Sequence, residues 1–468
     1  MSTEMTQRGR RAALLPKGRP DTATLLAAVL PLLTLGGALL VVPRAETPEP
    51  HPPTEVALVH LDRGCPRGLS GPGEVTVANA AGVGGQAELR SLAGAQTEPE
   101  ALELPAGAVT TGPVGAKPVL VSAEGDAAIG LLAARGHASP LASVPCPVPT
   151  SQAWFTGLGA RSDHASVLEI DNPDVGAAVV DVVLYSRQGV VSAPDVRGIR
   201  IPGRTSVTVD LAATIPRRGD VAVQVAVSRG RAAVTALDSS GRPGDGLRSE
   251  WLPAQPEPAT ANLVLGLPGG KGSRTLSVAN PGESEAVVSL QVVTPSTTFT
   301  PAGVEEFRVR PGALVGVPLR AVLGSKAASQ ATGLLVESSE PVTAAIRSRV
   351  DGDLALAAAA TPISAEGAAL VPAGMATLVL SGATTAGTVD VVVRDASGAS
   401  VLEKSVEVSA DLGAVLELPR GSAVVDLRPV GASVFAVVVV TARTGSTVVP
   451  VTEVQQHSLL PYVGPALP

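Results

Sequence analysis

Residues 274–293, RTLSVANPGESEAVVSLQVV, constrain the fold most, because recognisable versions of this stretch recur along the chain. Two apolar runs are joined by Asn280-Pro281-Gly282, in which proline fixes φ and asparagine and glycine tolerate left-handed backbone. The stretch therefore predicts a β-hairpin or a corner between two strands. Each recurrence predicts another copy of one domain.

The spacing of the copies indicates their size. Asn79, Asn172 and Asn280 occupy the same turn, 93 and 108 residues apart, and are three of only four asparagines in the chain. The glycines that close each copy lie 105, 111 and 93 residues apart, at Gly136, Gly241, Gly352 and Gly445. A period near 100 residues is typical of one sandwich domain per repeat and is too long for a solenoid unit or a propeller blade.

The repeats are rich in β-branched residues at alternating positions, as in VAVQVAV (residues 221–227) and VDVVV (residues 389–393). This alternation lines one face of a sheet with apolar side chains, whereas the valine and glycine content disfavours helix. We therefore expect an all-β chain of tandem immunoglobulin-like β-sandwich domains, each with about seven short antiparallel strands. The expected domains span residues 55–148, 149–253, 254–363 and 364–456, before a C-terminal tail of residues 457–468.

Composition excludes one class of partner. The 468-residue chain has a formal net charge of −7 and shows no run of lysine and arginine, so we expect no nucleic-acid partner. Charged residues are only 16% of the chain, yet the valine-rich alternation supplies apolar faces to bury. The repeats are therefore expected to fold rather than remain disordered.

The N-terminal region predicts a membrane anchor. Residues 1–21 form a basic tail, and residues 22–42 are an apolar segment about 21 residues long, enough to cross a bilayer as a helix. The charge bias places the N-terminus in the cytoplasm and the bulk of the chain outside a single-pass cell membrane. Residues 43–54, PRAETPEPHPPT, then predict an extended stalk. A signal peptide cleaved near Ala45 and a buried core helix are the alternatives.

Two cysteines, Cys65 and Cys146, flank the first repeat. Outside the cytoplasm an even pair predicts a disulfide, which would join the first segment of this domain to its last. Unpaired buried thiols and a redox or nucleophilic cysteine are the alternatives.

No catalytic or metal-binding pattern stands out, so we predict no cofactor, no metal site and no catalytic residue. The five histidines are scattered and lack metal-ligand spacing. Asp163-His164 and residues 238–241 (DSSG) can be combined into a Ser-His-Asp set, but no G-x-S-x-G elbow surrounds a serine, so hairpin loops are favoured.

Four other motifs are interpreted structurally. GLPGGKGS (residues 266–273) lacks the order of a phosphate-binding loop and indicates a flexible loop between domains. Arg218-Gly219-Asp220 precedes a strand and matches turn chemistry. Residues 171–174 and 351–353 offer too few oxygen ligands for calcium.

The turn, a P-G-x-x-V strand (residues 311–315) and a hairpin S-x-x-P-V-x-A that ends at Ala344 together resemble immunoglobulin-like modules of bacterial exported proteins. With its basic start, apolar span and stalk, the chain also resembles an uncharacterised family of single-span envelope proteins of high-GC Gram-positive bacteria. That family has no assigned catalytic residues, so the resemblance implies none here.

These features favour a non-catalytic, membrane-anchored, extracytoplasmic structural or interaction protein. Its partners would be other envelope proteins or wall polymers, bound through strand edges and grooves between domains. Two alternatives remain. One is an extracytoplasmic hydrolase with a site between domains, and the other is a carbohydrate-binding accessory protein that stacks sugars on Trp154 or Trp251.

Overall fold

The computed structural model describes residues 22–23, 27, 29–34, 54–69, 73–94, 98–241, 246–410 and 412–460. Residues 55–459 form one compact unit that contains all four repeats. The expected basic tail of residues 1–21 lies outside the described residues, as do most of the expected span and residues 43–53 of the expected stalk (residues 43–54), whose last residue, Thr54, begins a strand.

The first repeat folds into two antiparallel sheets that enclose an apolar core. Its strands are β1 (Thr54–Ala57), β2 (His60–Cys65), β3 (Glu74–Asn79), β4 (Gly85–Ser91), β5 (Glu100–Leu104), β6 (Val109–Pro113), β7 (Val119–Glu124), β8 (Leu131–Ala138) and β9 (Leu141–Pro145). One sheet has the order β6-β3-β8-β9 and the other β2-β7-β4-β5. A 3-10 turn, Gly125–Ala128, follows β7.

The second repeat uses the same strand orders. Its strands are β10 (Gln152–Arg161), β11 (His164–Asp171), β12 (Ala178–Ser186), β13 (Gly189–Val191), β14 (Ile199–Ile201), β15 (Ser206–Asp210), β16 (Arg218–Arg229), β17 (Ala233–Ser240) and β18 (Arg248–Leu252). The sheet β15-β11-β17-β18 corresponds to β6-β3-β8-β9. A short helix α1 (Leu211–Thr214) and a 3-10 turn (Pro194–Val196) complete the repeat.

The third repeat contains the strands β19 (Ala259–Leu265), β20 (Gly272–Asn280), β21 (Ala286–Val293), β22 (Thr298–Phe299), β23 (Phe307–Val309), β24 (Ala313–Pro318), β25 (Gly333–Val350) and β26 (Asp353–Ala358). Its corresponding sheet is β24-β20-β25-β26. The 18-residue strand β25 takes part in both sheets of the repeat. A helix α2 (Arg320–Leu323) and a 3-10 turn (Ala327–Gln330) lie between β24 and β25.

The fourth repeat completes the pattern with the sheet β31-β28-β33-β34. Its strands are β27 (Gly367–Leu370), β28 (Met375–Ser381), β29 (Gly387–Asp395), β30 (Ser400–Val408), β31 (Ala414–Glu417), β32 (Ser422–Val430), β33 (Phe435–Ala442), β34 (Gly445–Pro450), β35 (Thr452–Glu453) and β36 (His457–Leu460). The last strand, β36, pairs with β1 and so joins the two ends of the set of repeats.

The four corresponding sheets are blades around a common axis. In each blade the final hairpin supplies the edge strand nearest the axis, namely β9, β18, β26 and β34. These edge strands contact one another in a closed cycle, β9 with β18, β18 with β26, β26 with β34, and β34 with β9. The repeats therefore form a four-bladed β-propeller, with a second sheet against each blade.

Apolar packing across the blades closes this ring. Leu354 and Leu356 of blade 3 belong to the core of blade 2. Val448 of blade 4 packs into blade 3, and Leu141 of blade 1 packs into blade 4. Trp251 of blade 2 packs against the edge strand of blade 1. Each core is therefore completed by its neighbour.

The prediction of an all-β chain is confirmed, but tandem immunoglobulin-like sandwiches are wrong. The repeats do not lie in series as separate domains, because their edge strands meet at one axis and their cores are shared. The prediction that about 100 residues are too many for one blade is also wrong. Each repeat contains a blade and a second sheet that packs against it, and together these account for the length of the repeat.

The expected transmembrane helix of residues 22–42 also needs correction. Thr22, Ala23, Ala27 and residues 29–34 are helical, while the remainder of that segment lies outside the residues described. Within the described part of the chain, no helix has the length and apolar character needed to cross a membrane. On this finding the predicted span is wrong.

The predicted disulfide is confirmed, since Cys65 and Cys146 are bonded. Cys65 ends β2 and Cys146 directly follows β9, so the bond joins the two sheets of the first repeat. Both residues are fully buried in the core of that repeat.

The repeated asparagines fix the corners of the first three blades. Asn280 Nδ2 donates to the carbonyl oxygens of Ser284 at 2.7 Å and Val309 at 3.0 Å, and Oδ1 accepts from Gly282 N at 3.0 Å. Asn79 and Asn172 bind loop backbone in the same way. All three are fully buried, and each donates a buried hydrogen bond to one carbonyl oxygen, that of Ala127, Ile201 or Val309.

We predict that Asn280→Ala destabilises the protein by roughly 2–4 kcal/mol, because the buried carbonyl of Val309 and two partly buried backbone groups lose their partner. Chemical denaturation gives the free energy of unfolding. Glu283→Ala, in the same turn but exposed, is the matched control and should change it by less than about 0.5 kcal/mol. Equal effects of the two changes would contradict a structural role for Asn280.

We also predict that Cys65→Ala/Cys146→Ala lowers the free energy of unfolding by about 4 kcal/mol, since the bond closes a loop of 81 residues in the unfolded chain. Reductant should destabilise the wild type to a similar extent and leave the double variant unchanged. A wild-type melting temperature that does not change when reductant is added would contradict this prediction.

Candidate functional site

A cavity with a mainly apolar lining lies at one end of the propeller axis and has a volume of about 380 Å3. All four blades contribute to its wall. Prolines form much of the lining, at positions 145, 147, 253, 256 and 450, together with the alanines of residues 357–360 and Val437 and Val448. We call this cavity the axial pocket. A concave apolar site with few polar groups is the usual form of a binding pocket.

One cation, Arg63, lines the axial pocket. Its Nε donates to the carbonyl oxygen of Leu131 at 2.6 Å and its Nη1 to that of Cys146 at 3.1 Å. Burial lowers the pKa of Arg63 to about 10, so the side chain remains charged at neutral pH. Because carbonyl oxygens alone hold it, this guanidinium adds a positive potential to a mainly apolar wall that also contains the carboxyl group of Glu453.

A buried carboxyl group lies among the edge strands. Glu250 of β18 is 1% exposed, and its Oε1 accepts from the amide of Trp251 at 2.9 Å. Its Oε2 has no hydrogen-bond partner among the described residues. Burial raises the pKa of Glu250 well above 4.5, and the nearby carboxylate of Asp353 adds to this effect. Protonated Glu250 is therefore favoured between the blades.

The structure brings together the predicted Ser-His-Asp residues between blades 2 and 3. His164 Nε2 lies 3.0 Å from Asp238 Oδ1, and His164 Nδ1 lies 3.1 Å from Asp220 Oδ1. Asp220 also accepts from Arg347 at 3.1 Å. Ser240 pairs with His164 across the β11–β17 ladder. Sequence reasoning missed Asp220 and Arg347, since nothing in their local motifs marks a contact between blades.

The charges of this cluster stabilise one another. Burial alone lowers the pKa of His164, but the charge of Asp238 and hydrogen bonds with Asp220 and Asp238 outweigh it, so the pKa is raised above 6.5 despite Arg347. Burial alone raises the pKa of Asp220, but His164 and Arg347 bring it down to about 2. The cluster therefore holds a cationic imidazole between two carboxylates.

This geometry does not suit nucleophilic catalysis. In a Ser-His-Asp triad one histidine nitrogen faces the serine and the other faces the carboxylate. Here both nitrogens of His164 face carboxylates, so neither is available to take a proton from Ser240. Ser166 donates to Asp238 instead, at 2.5 Å. The arrangement holds the imidazole of His164 between two carboxylates and does not activate the hydroxyl group of Ser240.

The other candidate motifs have structural roles. Asp171 is fully buried and its pKa is raised well above 3.8 by burial, whereas Asp174 pairs with Arg231 at 3.0 Å. Asp353 accepts from the amide of Ser446 at 2.7 Å, which ties β26 to β34. No group of three histidine, cysteine or acidic residues able to hold a metal occurs within the described ranges. His51 lies outside those ranges.

The two tryptophans lie between blades rather than on an open surface. Trp154 is 4% exposed and stacks on Tyr185 with ring centroids 6.0 Å apart, next to Ala279 and Leu314 of blade 3. Trp251 is 2% exposed and packs on blade 1. Neither ring is open to a sugar.

We predict that Glu250→Gln raises the melting temperature at pH 7 by on the order of 2–5 °C. Because the folded-state pKa of Glu250 is raised, its contribution to stability is present below pH 4.5 and is lost as pH rises towards that folded-state pKa. The gain of the variant should therefore disappear near pH 4. Thermal unfolding from pH 4 to pH 8 measures this difference.

Glu283→Gln, which changes an exposed carboxyl group, is the control and should follow the wild-type curve. Parallel curves for Glu250→Gln and the wild type would contradict the raised pKa.

Comparison with known proteins gives a family without an assigned activity. No curated protein matches the chain. The family of unknown function DUF5719 matches residues 106–419, which is more than half of the 468 residues and extends from blade 1 into blade 4. The chain belongs to this family of unknown function.

Proposed function

We propose that the protein is a non-catalytic, extracytoplasmic interaction protein of the cell envelope, which binds an aliphatic segment of another envelope protein in the axial pocket. The observation that carries this proposal is an apolar cavity of about 380 Å3 to which all four blades contribute. Such a cavity exists only when the ring is closed, so binding would depend on the whole propeller.

The disulfide supports the extracytoplasmic location. Disulfides persist in oxidising compartments and are rare where thiols are kept reduced. Cys65 and Cys146 are fully buried and bonded, and Cys146 also lines the axial pocket. An oxidising environment would therefore stabilise the wall of the proposed binding site.

The lining indicates the chemistry of the ligand. Proline, alanine, threonine and valine make up most of the lining, and no aromatic side chain lines the axial pocket. Sugar recognition commonly uses aromatic rings, so this wall suits aliphatic side chains better than a glycan. Thr150, Thr235 and Gln455 supply polar groups that can bind the backbone of an extended peptide.

The cluster around His164 supports a non-catalytic role. Both ring nitrogens face carboxylates, and Ser240 has no base within its own cluster to activate it. The hydrolase alternative would need such a base.

Binding can be tested with an array of aliphatic and proline-rich decapeptides, with acidic and glycine-serine decapeptides as references. We expect selective binding of the aliphatic set. Ala254→Trp, at an exposed position on the wall of the axial pocket, should weaken that binding at least about tenfold by filling the cavity.

The matched control is Ala321→Trp, which places the same side chain on the exposed surface of α2, away from the axial pocket. It should bind as the wild type does. Equal binding by all three proteins, or no preference for aliphatic peptides, would overturn the proposal.

A further inference from the structure

A second, smaller cavity of about 150 Å3 lies between blades 2 and 3, separate from the axial pocket. Blade 2 contributes its polar end near the β10–β11 turn, and blade 3 contributes the start of β20 and the end of β25. The lining residues are Arg161, Asp163, His164, Ser240, Ser273, Thr275, Arg347 and Arg349. Every one is polar, and three are arginines. We call this cavity the arginine cavity.

Regular strands fix the positions of these residues. His164 lies opposite Ser240 in the β11–β17 ladder. On the facing blade, Thr275 lies opposite Arg347, and Ser273 opposite Arg349, in the β20–β25 ladder. Because paired strands hold both walls, the arginine cavity is largely formed before any ligand arrives.

Ser240 marks the arginine cavity as a binding site. Its side chain is buried, with the residue 2% exposed, and its hydroxyl has no hydrogen-bond partner within the described part of the chain. A buried hydroxyl without a partner costs about 1–3 kcal/mol. A ligand atom that accepts a hydrogen bond in the arginine cavity would remove this cost.

The charges define the kind of acceptor. Arg161, Arg347 and Arg349 surround the arginine cavity, and His164 is held as a cation by Asp220 and Asp238. The one carboxylate in the lining, Asp163, pairs with Arg161 at 3.1 Å, with both side chains about half exposed. Exposed pairs of this kind contribute little and rearrange readily. The three arginines and His164 therefore face three carboxylates, Asp163, Asp220 and Asp238, which leaves a small excess of positive charge, and Arg161 can turn towards a ligand.

We propose that the arginine cavity binds a tetrahedral oxyanion, a phosphate or sulfate group, through the three guanidinium groups and the hydroxyl of Ser240. Arginine forks bind such oxygens with paired hydrogen bonds. A volume of about 150 Å3, roughly that of five waters, accommodates one such group. This site is independent of the aliphatic ligand proposed for the axial pocket.

The test is calorimetric titration of the full-length protein with inorganic phosphate, with sodium sulfate, and with glycerophosphoglycerol, a phosphodiester, at constant ionic strength in chloride. We expect inorganic phosphate or sulfate to bind. Binding of the diester as well would point to a phosphate carried by a polymer, and its failure to bind would point to a free anion. Absence of heat and of any thermal shift with all three ligands would overturn the proposal.

Two variants locate the site. Ser240→Ala removes only a hydroxyl that has no partner, so its melting temperature without anion should equal or exceed that of the wild type, while its affinity falls about tenfold. Arg161→Gln, at an exposed turn, should weaken binding similarly without unfolding the protein. Arg308→Gln, which removes an arginine that is 68% exposed on blade 3, is the control and should bind normally. Wild-type affinity in both site variants would also refute the site.

Discussion

The packing of four edge strands around one axis is the interaction on which the rest of the structure depends. Strands β9, β18, β26 and β34 lie close enough to contact their neighbours only because small side chains predominate there, such as Ala142, Ser143, Ala355 and Ala357. Trp251 is the one aromatic side chain among these strands, and it fills the space beside blade 1. The axial pocket is the opening that remains where this packing ends.

This dependence makes the four repeats one folding unit. Leu354 and Leu356 belong to the core of blade 2 although their strand is part of blade 3, and Leu141 completes blade 4. Removal of any one blade would expose apolar surface on two others, at about 25 cal/mol per Å2. The pairing of β1 with β36 reinforces the closure at the chain ends. The shape of the axial pocket is therefore linked to the stability of every blade.

The sequence predicted the corners and the disulfide, because both depend on residues within one repeat. Asn79, Asn172 and Asn280 marked three corners correctly, since few residues can satisfy the backbone groups of such a corner with one buried side-chain amide. The cysteine pair was also predictable, as its positions flank one repeat. The closed ring of blades could not be predicted in this way. The alternation of apolar and polar residues shows which face of a strand is apolar, but it does not show which element covers that face.

A signal for the ring was nevertheless present. The closing hairpins are apolar on both faces, as in FAVVVVTA of β33 and DLALAA of β26. Strands buried on both faces have this continuous pattern, whereas the strands of a free sandwich alternate with polar residues. Glu250 beside Trp251 was a second signal, because an acidic residue in a closing hairpin does not fit an exposed edge. Together they indicate a surface that a neighbouring repeat must cover.

The charged cluster between blades 2 and 3 shows why the candidate sites were harder to predict than the corners. Asp163-His164 and Asp238 were visible in the sequence, but their chemistry is decided by Asp220 and Arg347, which reach them from other strands. Two carboxylates on His164 turn a potential base into a fixed cation. The same cation, with three arginines, then faces a hydroxyl that has no partner. Residues that could be combined into a catalytic set in the sequence therefore form, in the folded protein, a cluster that favours anion binding.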